Sequence, residues 1–118
     1  MGLTHVTVRI ANPADSSRFE DVDFLVDSGA IYTFVPQKIL RKVGISAHSK
    51  RSFLLANGEK LERELGSIDV IYKRRRGAAT VLFGETGDFP LLGVTAVEAL
   101  GLIFDPVQRK LRPVALTI

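Results

Sequence analysis

The sequence contains no cysteine, and this absence excludes several kinds of chemistry together. A chain without thiols cannot form disulfides, thiolate zinc sites, iron–sulfur clusters or a cysteine nucleophile. We therefore expect no redox chemistry from this protein.

Long apolar segments are missing as well. The longest segment without an acidic or basic residue is Ser28–Gln37, which is far shorter than the roughly 20 apolar residues of a membrane-spanning helix. The N-terminus has no basic segment followed by an apolar block, and Val6 stands where a myristoylation signal has Ser or Thr. These features predict no membrane segment and favour the cytoplasm as the default compartment.

The composition that remains is typical of one globular domain. The chain has 118 residues, of which 46% are hydrophobic and 25% are charged, and a chain of this size can bury a core without disulfides or metals. We therefore expect residues 1–118 to form a single domain.

The positive charge is concentrated in one short segment. The net charge is +3, and the basic residues Lys73–Arg76 precede Gly77 between two apolar segments, a pattern that predicts a solvated hairpin turn. No basic helix or interleaved aromatic residues accompany this segment, so nucleic acid is an unlikely partner. A small β-barrel that binds nucleic acid through Lys73–Arg76 is kept as a lesser alternative.

Apolar and polar residues alternate along most of the chain, which predicts strands. The pattern gives eight strands in four hairpins: Val6–Ile10 with Asp21–Val26, Arg51–Leu55 with Glu59–Leu65, Ser67–Tyr72 with Ala78–Phe83, and Leu102–Phe104 with Arg109–Val114. Asn57 and Gly58 separate the strands of the second hairpin, and this dipeptide favours a type I′ turn.

Two short helices complete the predicted elements. Pro36 suits the first position of one helix and Gly44 its end. Thr95 and Glu98 match a capping box at the start of the other, which Gly101 would end. Short strands in hairpins with two short helices favour a mainly β chain that forms a closed or partly open barrel.

The histidines give no indication of a metal site. His5 and His48 have no Cys, second His or carboxylate at ligand spacing. The chain also has no G-x-S-x-G nucleophile motif and no phosphate-binding glycine loop before a helix. We therefore expect neither a metal nor a cofactor.

One carboxylate stands in an unusual setting. Asp27, Ser28, Gly29 and Ala30 follow the apolar end of a predicted strand, and the apolar segment Ile31–Val35 comes next. A carboxylate between two core strands is costly unless it is hydrogen-bonded or functional. The residues alone leave both a structural turn and a functional site open.

A second motif favours the functional interpretation. The segment Phe89–Gly93 ends in two leucines and a glycine directly before the second predicted helix. Together with Asp27-Ser28-Gly29-Ala30 and the hairpins between them, it resembles the retropepsin-like aspartic proteases over essentially the whole chain. The resemblance implies a mainly β acid-protease closed barrel with one or two short helices, active as a twofold homodimer on peptide or unfolded-protein substrates.

The resemblance also implies roles for particular residues. Asp27 matches the catalytic aspartate, Ser28 the hydroxyl residue that bonds across the dimer, and Gly29 the glycine that leaves room for water and substrate. The implied substrate-binding residues are Ala30, Ala56, Asn57, Gly58 and Leu92. Among these, Ala56, Asn57 and Gly58 match the flap that closes over bound peptide, and Leu92 belongs to the strand that braces the catalytic loop. Residues Leu111–Ile118 match the strand of the intersubunit sheet.

The sequence departs from the family pattern at three places. The flap tip is not rich in glycine and has no tyrosine, Ile31 replaces an acidic residue of many retroviral enzymes, and Val94 replaces the arginine that often partners it. The last two changes imply a more apolar substrate cleft. The flap leaves a further alternative open, namely an inactive module of this fold that dimerises or binds peptides.

Overall fold

The computed structural model describes residues 3–114, and their structure is mainly β, as predicted. Within this range there are nine strands and two helices. In chain order they are β1 (His5–Asn12), β2 (Asp15–Val26), β3 (Thr33–Pro36), α1 (Gln37–Val43), β4 (Ser49–Leu54), β5 (Lys60–Tyr72), β6 (Arg75–Gly84), β7 (Leu91–Leu92), α2 (Val94–Ala99), β8 (Leu102–Asp105) and β9 (Lys110–Pro113).

Seven of the strands form one sheet in the order β1-β2-β7-β3-β6-β5-β4. Strand β1 also pairs with β5, in the register Arg9↔Ile71 to Ala11↔Asp69. Six strands therefore have a neighbour on both sides. Closure of the barrel stays a prediction, because β7 has two residues and meets β3 at the single pair Phe34↔Leu91.

The four predicted hairpins are present, but the predicted count of strands is wrong. Glu59–Leu65 and Ser67–Tyr72 belong to one continuous strand, β5. A Cβ on Gly66 would lie 2.9 Å from Ile45 and 3.0 Å from Phe83, so this glycine allows close packing and does not interrupt the strand. Strands β3 and β7 were not among the eight because they are short and do not alternate.

The predicted type I′ turn between β4 and β5 is also wrong. Gly58 has a positive φ of 88° and Asn57 does not, whereas a type I′ turn needs positive values at both residues. The Gly58 N–H donates to the Leu55 carbonyl at 3.0 Å, and the Leu55 N–H donates to the Glu59 carbonyl at 2.8 Å. These bonds enclose a three-residue loop in which glycine takes the left-handed position.

Both predicted helices exist, with changes at their N-termini. Pro36 is the N-cap of α1 and not its first residue, while Gly44 ends α1 with φ 88° as expected. Gly93 is the N-cap of α2, and no side chain caps this helix, so the predicted capping box of Thr95 and Glu98 does not form. No helix in residues 3–114 is long and apolar enough to span a membrane.

The core lies between the main sheet and the two helices. Among its largest fully buried side chains are Ile10 and Phe24 of β1 and β2, Leu40 of α1, Ile68 of β5 and Leu92 of β7. Burial of each such side chain stabilises the folded state by about 1.5–3 kcal/mol. Apolar burial therefore holds β7 in place although it has only two residues.

Strands β8 and β9 form a separate hairpin. Asp105 ends β8, and its Oδ1 accepts hydrogen bonds from the Gln108 N–H at 3.1 Å and the Val107 N–H at 2.9 Å. These bonds, that from Gln108 first, hold the pKa of Asp105 below its ordinary value. Most of the predicted strand Arg109–Val114 is β9, while the proposed continuation through residues 115–118 lies outside the described residues.

The basic segment is solvent-exposed, as predicted, but only Lys73 and Arg74 form the turn between β5 and β6, whereas Arg75 and Arg76 begin β6. Lys73, Arg74, Arg75 and Arg76 are all exposed. Two of them are engaged within the chain: Arg76 contacts Asp69 at 3.2 Å, and Arg75 donates to the Leu100 carbonyl at 3.2 Å. The Asp69 carboxylate offsets one of the four positive charges that this segment could offer to a polyanion.

The start of β6 passes closely beneath the end of α2, and this contact predicts a cost for any side chain at Gly77. A Cβ there would lie 2.6 Å from the carbonyl carbon of Ala99. We expect Gly77→Ala to lower the free energy of unfolding by about 1–3 kcal/mol because the backbone must shift, as measured by urea denaturation. The control is Ala78→Ser at the exposed neighbouring position, and equal stability of the two variants would contradict the contact.

Candidate active site

Asp27 directly follows β2 and begins a tight turn. Its backbone N–H donates to the Leu92 carbonyl at 3.2 Å, and its own carbonyl accepts from the Ala30 N–H at 3.1 Å. Its side-chain Oδ1 accepts from the Gly29 N–H at 2.8 Å. Backbone and side-chain bonds together therefore fix the direction of the carboxyl group.

Strand β7 supports this turn from one side. Leu91 and Leu92 pair in parallel with Leu25 and Val26 at the end of β2. The parallel pairing places the Leu92 carbonyl next to the Asp27 N–H. The Leu91-Leu92-Gly93 motif, which the family resemblance assigned to a strand that braces the catalytic loop, therefore lies beside the Asp27 turn.

Gly93 lets the chain turn from β7 into α2 at close range. A Cβ on Gly93 would lie 2.7 Å from the Ile31 carbonyl oxygen, so no side chain fits there. The Gly93 N–H donates to Thr33 Oγ1 at 3.0 Å, and Thr33 is 0% exposed. Thr33 is thus the buried acceptor that satisfies this backbone donor.

The first turn of α2 is capped by the segment that follows Asp27. The Val94 N–H donates to the Ala30 carbonyl at 2.8 Å, and the Thr95 N–H donates to the Ile31 carbonyl at 3.2 Å. The Thr95 hydroxyl also donates to the Ile31 carbonyl, at 2.7 Å. The free donors of this short helix are therefore satisfied by a segment distant in sequence, which replaces the predicted local capping box.

The expected burial of Asp27 between core strands is wrong for the single chain. Asp27, Ser28 and Gly29 are all exposed. Within residues 3–114, Asp27 Oδ2 and Ser28 Oγ make no hydrogen bond. The tight turn therefore presents a carboxylate oxygen and a hydroxyl to whatever lies outside this chain.

A cavity of about 230 Å³ opens beside the turn, between α2 and β8. Its polar wall is formed by Asp27, Ser28 and Glu98, and its apolar wall includes Leu92 and Phe104. Leu92, expected from the sequence at a substrate site, is itself 0% exposed and supports the floor of this cavity.

The structure brings five of the eight predicted site residues together. They are Asp27, Ser28, Gly29, Ala30 and Leu92. The other three, Ala56, Asn57 and Gly58, are exposed at the tip of the β4–β5 hairpin. No hydrogen bond in the described part of the chain joins these three to the Asp27 turn.

Sequence reasoning missed several residues around the site. Thr33 and Tyr32 stand inside the apolar segment after Asp27, and Arg51 Nη1 donates to the Tyr32 hydroxyl at 2.7 Å. Thr33 could have been predicted as a buried acceptor, because it is a threonine within a mainly apolar segment. No sequence pattern indicated Arg51, because its partner lies 19 residues away.

The histidines are placed away from any cluster of metal ligands. His5 lies 3.7 Å from Asp23, and His48 contacts Ser49 and Ser67. Over the residues that the structure describes, no group of three or more His, Cys, Asp or Glu side chains could hold a metal.

Comparison with solved structures identifies the fold. The solution structure of the Simian Foamy Virus (mac) protease matches with a TM-score of 0.55 and 19% identity, covering 80% of this chain and 91% of the viral chain. This chain has the retropepsin-like fold. A retropepsin-like aspartic protease from Rickettsia conorii matches at 24% identity and a TM-score of 0.45, covering 86% of this chain and 84% of that one. No family model and no curated protein matches the sequence.

The retropepsin-like fold confirms the resemblance that was based on the two motifs, and it confirms the predicted mainly β fold class. The roles of Asp27, Ser28 and the other site residues remain predictions, because at 19% identity the likeness concerns the fold alone.

The buried hydrogen bond at Gly93 gives a testable prediction. In Thr33→Val the shape is nearly kept but the Gly93 N–H loses its acceptor, so we expect the free energy of unfolding to fall by about 1–3 kcal/mol. Urea denaturation measures this loss. Thr7→Val, at an exposed position of β1, is the matched control and should change stability by no more than about 0.5 kcal/mol. Equal effects of the two substitutions would show that the Thr33 hydroxyl does not support the site.

Proposed function

We propose that the chain, acting as one domain over residues 1–118, is an aspartic endopeptidase that hydrolyses peptide bonds as a twofold homodimer. The observation on which this depends is the Asp27 turn. In a retropepsin-like fold, an exposed carboxyl is fixed by the Gly29 N–H and by backbone bonds to β7 and lies beside an open cavity. Peptides and unfolded proteins are the proposed substrates.

A second carboxyl is needed for this chemistry, and a second copy of the chain would supply it. A twofold axis beside the turn brings Asp27 and its symmetry mate together, since a twofold interface uses the same surface on both copies. Two carboxylates in direct contact cannot both be ionised, so the pair would share one proton. This proton-sharing pattern is the one generally described for aspartic proteases.

Because the two carboxyls would share one proton, each would have a different role in the reaction. The ionised member would accept a proton from a water molecule held between them as the water oxygen attacks the peptide carbonyl carbon. The protonated member would donate a hydrogen bond to the developing oxyanion. Collapse of the tetrahedral intermediate then breaks the C–N bond, and the amine leaves with a proton from the dyad. No covalent bond between enzyme and substrate forms.

The surface around the turn supports association with a second copy. Leu3 and Val107 are 74% and 89% exposed, and both line a second cavity next to the first. The two cavities share Val26 and Phe104. A twofold interface at this place would bury these exposed apolar side chains.

Within this proposal each predicted site residue keeps a defined task. Ser28 Oγ would bond across the dimer, and Gly29 would leave room for the water and the substrate. Ala30 and Leu92 would shape the cleft floor. The tip residues Ala56–Gly58 would close over the peptide.

The first prediction of this proposal concerns the carboxyl itself. Asp27→Asn should keep the Gly29 N–H bond, since the amide oxygen still accepts it, but the amide cannot act as a base. We expect cleavage of an unfolded protein substrate to fall by about 10²–10⁴-fold at unchanged thermal stability.

The matched control for this variant is Asp23→Asn, which changes an exposed carboxylate on β2, the strand before the Asp27 turn, and should retain full activity. Cleavage at the wild-type rate by purified Asp27→Asn protein would overturn the assignment. If the wild-type protein binds peptides without cleaving them, the inactive-module alternative is correct.

A second prediction follows from the shared site. The specific activity of the wild-type protein should fall on dilution below the dimer dissociation constant, because the monomer has half of the dyad. Adding an excess of Asp27→Asn protein at a fixed wild-type concentration should also reduce cleavage, since mixed dimers contain one carboxyl. A constant specific rate across dilution, with no inhibition by the variant, would show that one chain suffices.

A further inference from the structure

The hairpin of β4 and β5 is attached to the rest of the chain by two arginines. We call residues 49–65 the flap hairpin. Arg51 on β4 and Arg63 on β5 are directly opposite each other in the strand pairing, and Phe53 and Leu61 form the next pair on the same face. Two like charges opposite each other destabilise an isolated hairpin, so each arginine needs a partner elsewhere.

Arg51 finds its partner in the segment that follows the Asp27 turn. Its Nη1 donates to the Tyr32 hydroxyl at 2.7 Å, and its guanidinium lies 5.8 Å from the centre of the Tyr32 ring. The Phe53 ring meets the same tyrosine edge to face at 5.8 Å. Within residues 3–114 no carboxylate lies within salt-bridge distance of Arg51, so Tyr32 is its anchor.

Arg63 finds its partners in the loop between β6 and β7. Its Nε lies 3.0 Å from Asp88 Oδ2, its Nη1 lies 3.7 Å from Glu85, and the arginine side chain is only 12% exposed. Asp88 Oδ2 also accepts the Glu85 N–H at 2.8 Å. Charge-assisted bonds at a largely buried arginine are stronger and less screened than those at the surface.

The two anchors lie on the two chain segments that position Asp27. Tyr32 comes five residues after Asp27, and the carbonyl of its neighbour Ile31 accepts the Thr95 N–H of α2. Asp88 leads through Pro90 into β7, whose Leu92 carbonyl accepts the Asp27 N–H. The base of the flap hairpin is therefore fixed to both sides of the candidate site.

We propose that Arg51 and Arg63 are positioning residues that hold the flap hairpin over the Asp27 turn, Arg51 through Tyr32 and Arg63 through Asp88. The effect on turnover rests on the proposed function, whereas the anchoring itself does not. Neither arginine touches the reacting atoms. The tip beyond the two arginines, residues 54–60, is exposed.

The test compares three variants that remove an anchor with one that does not. The anchor variants are Tyr32→Phe, Arg51→Met and Arg63→Met. The control is Lys50→Ala, which breaks the exposed Lys50–Glu62 pair at 3.7 Å on the opposite face of the same hairpin. Amide hydrogen exchange over residues 49–65 and the steady-state constants kcat and KM are measured for each.

We expect each anchor variant to speed exchange in the flap hairpin by about tenfold, and the Lys50→Ala control to leave it unchanged. KM should rise about five- to tenfold with kcat changed less than about twofold, because the flap contacts ground state and transition state alike. The double variant Arg51→Met with Tyr32→Phe should show the same exchange rate and KM as either single variant. Arg51→Lys should bring both quantities part of the way back to the wild-type values.

If amide exchange in Tyr32→Phe and Arg51→Met matches that of the control, the anchoring is overturned. Tyr32→Phe removes a single oxygen, so this variant should still fold and can be tested. Faster exchange with unchanged KM would overturn the positioning role. Faster exchange in a protein that cleaves nothing would instead overturn the proposed function and leave the anchoring intact.

Discussion

The parallel pairing of β7 with the end of β2 is the constraint on which the rest of the site depends. It places the Leu92 carbonyl opposite the Asp27 N–H at 3.2 Å, and it brings Gly93 so close to Ile31 that no side chain would fit. Because α2 starts directly after Gly93, its first N–H groups reach back to the carbonyls that follow Asp27. One two-residue strand therefore sets the turn, the helix and the cavity between them.

Such a short strand is stable because apolar side chains are buried around it and the buried polar groups next to it have hydrogen-bond partners. Leu92 is fully buried, and the Gly93 N–H has a buried acceptor in Thr33. Burial of apolar area supplies the stability, while each polar group removed from water keeps a partner. The Asp27 carboxyl is different, since it is held in direction but left exposed, and a group so fixed can meet a second chain or a substrate without further ordering.

Charge has a separate role in this molecule. Most ion pairs, such as Arg9–Asp21 at 2.8 Å, are exposed and contribute little to stability. Arg63 has the least exposed basic side chain among the ion pairs of residues 3–114, at 12%, and it joins the flap hairpin to the loop before β7. The apolar core thus stabilises the body of the fold, and Arg51 and Arg63 join the flap hairpin to it.

Alternation along the sequence was sufficient for the four hairpins, because each depends on neighbours close in the chain and on one buried face. The two motifs were sufficient to predict the retropepsin-like fold. The acceptor of the Thr95 hydrogen bonds and the anchor of Arg51 could not be predicted, since each depends on residues far apart in sequence. For the same reason only the folded chain revealed that Asp27 is exposed: the motif specifies the turn, whereas burial depends on which distant strands cover it.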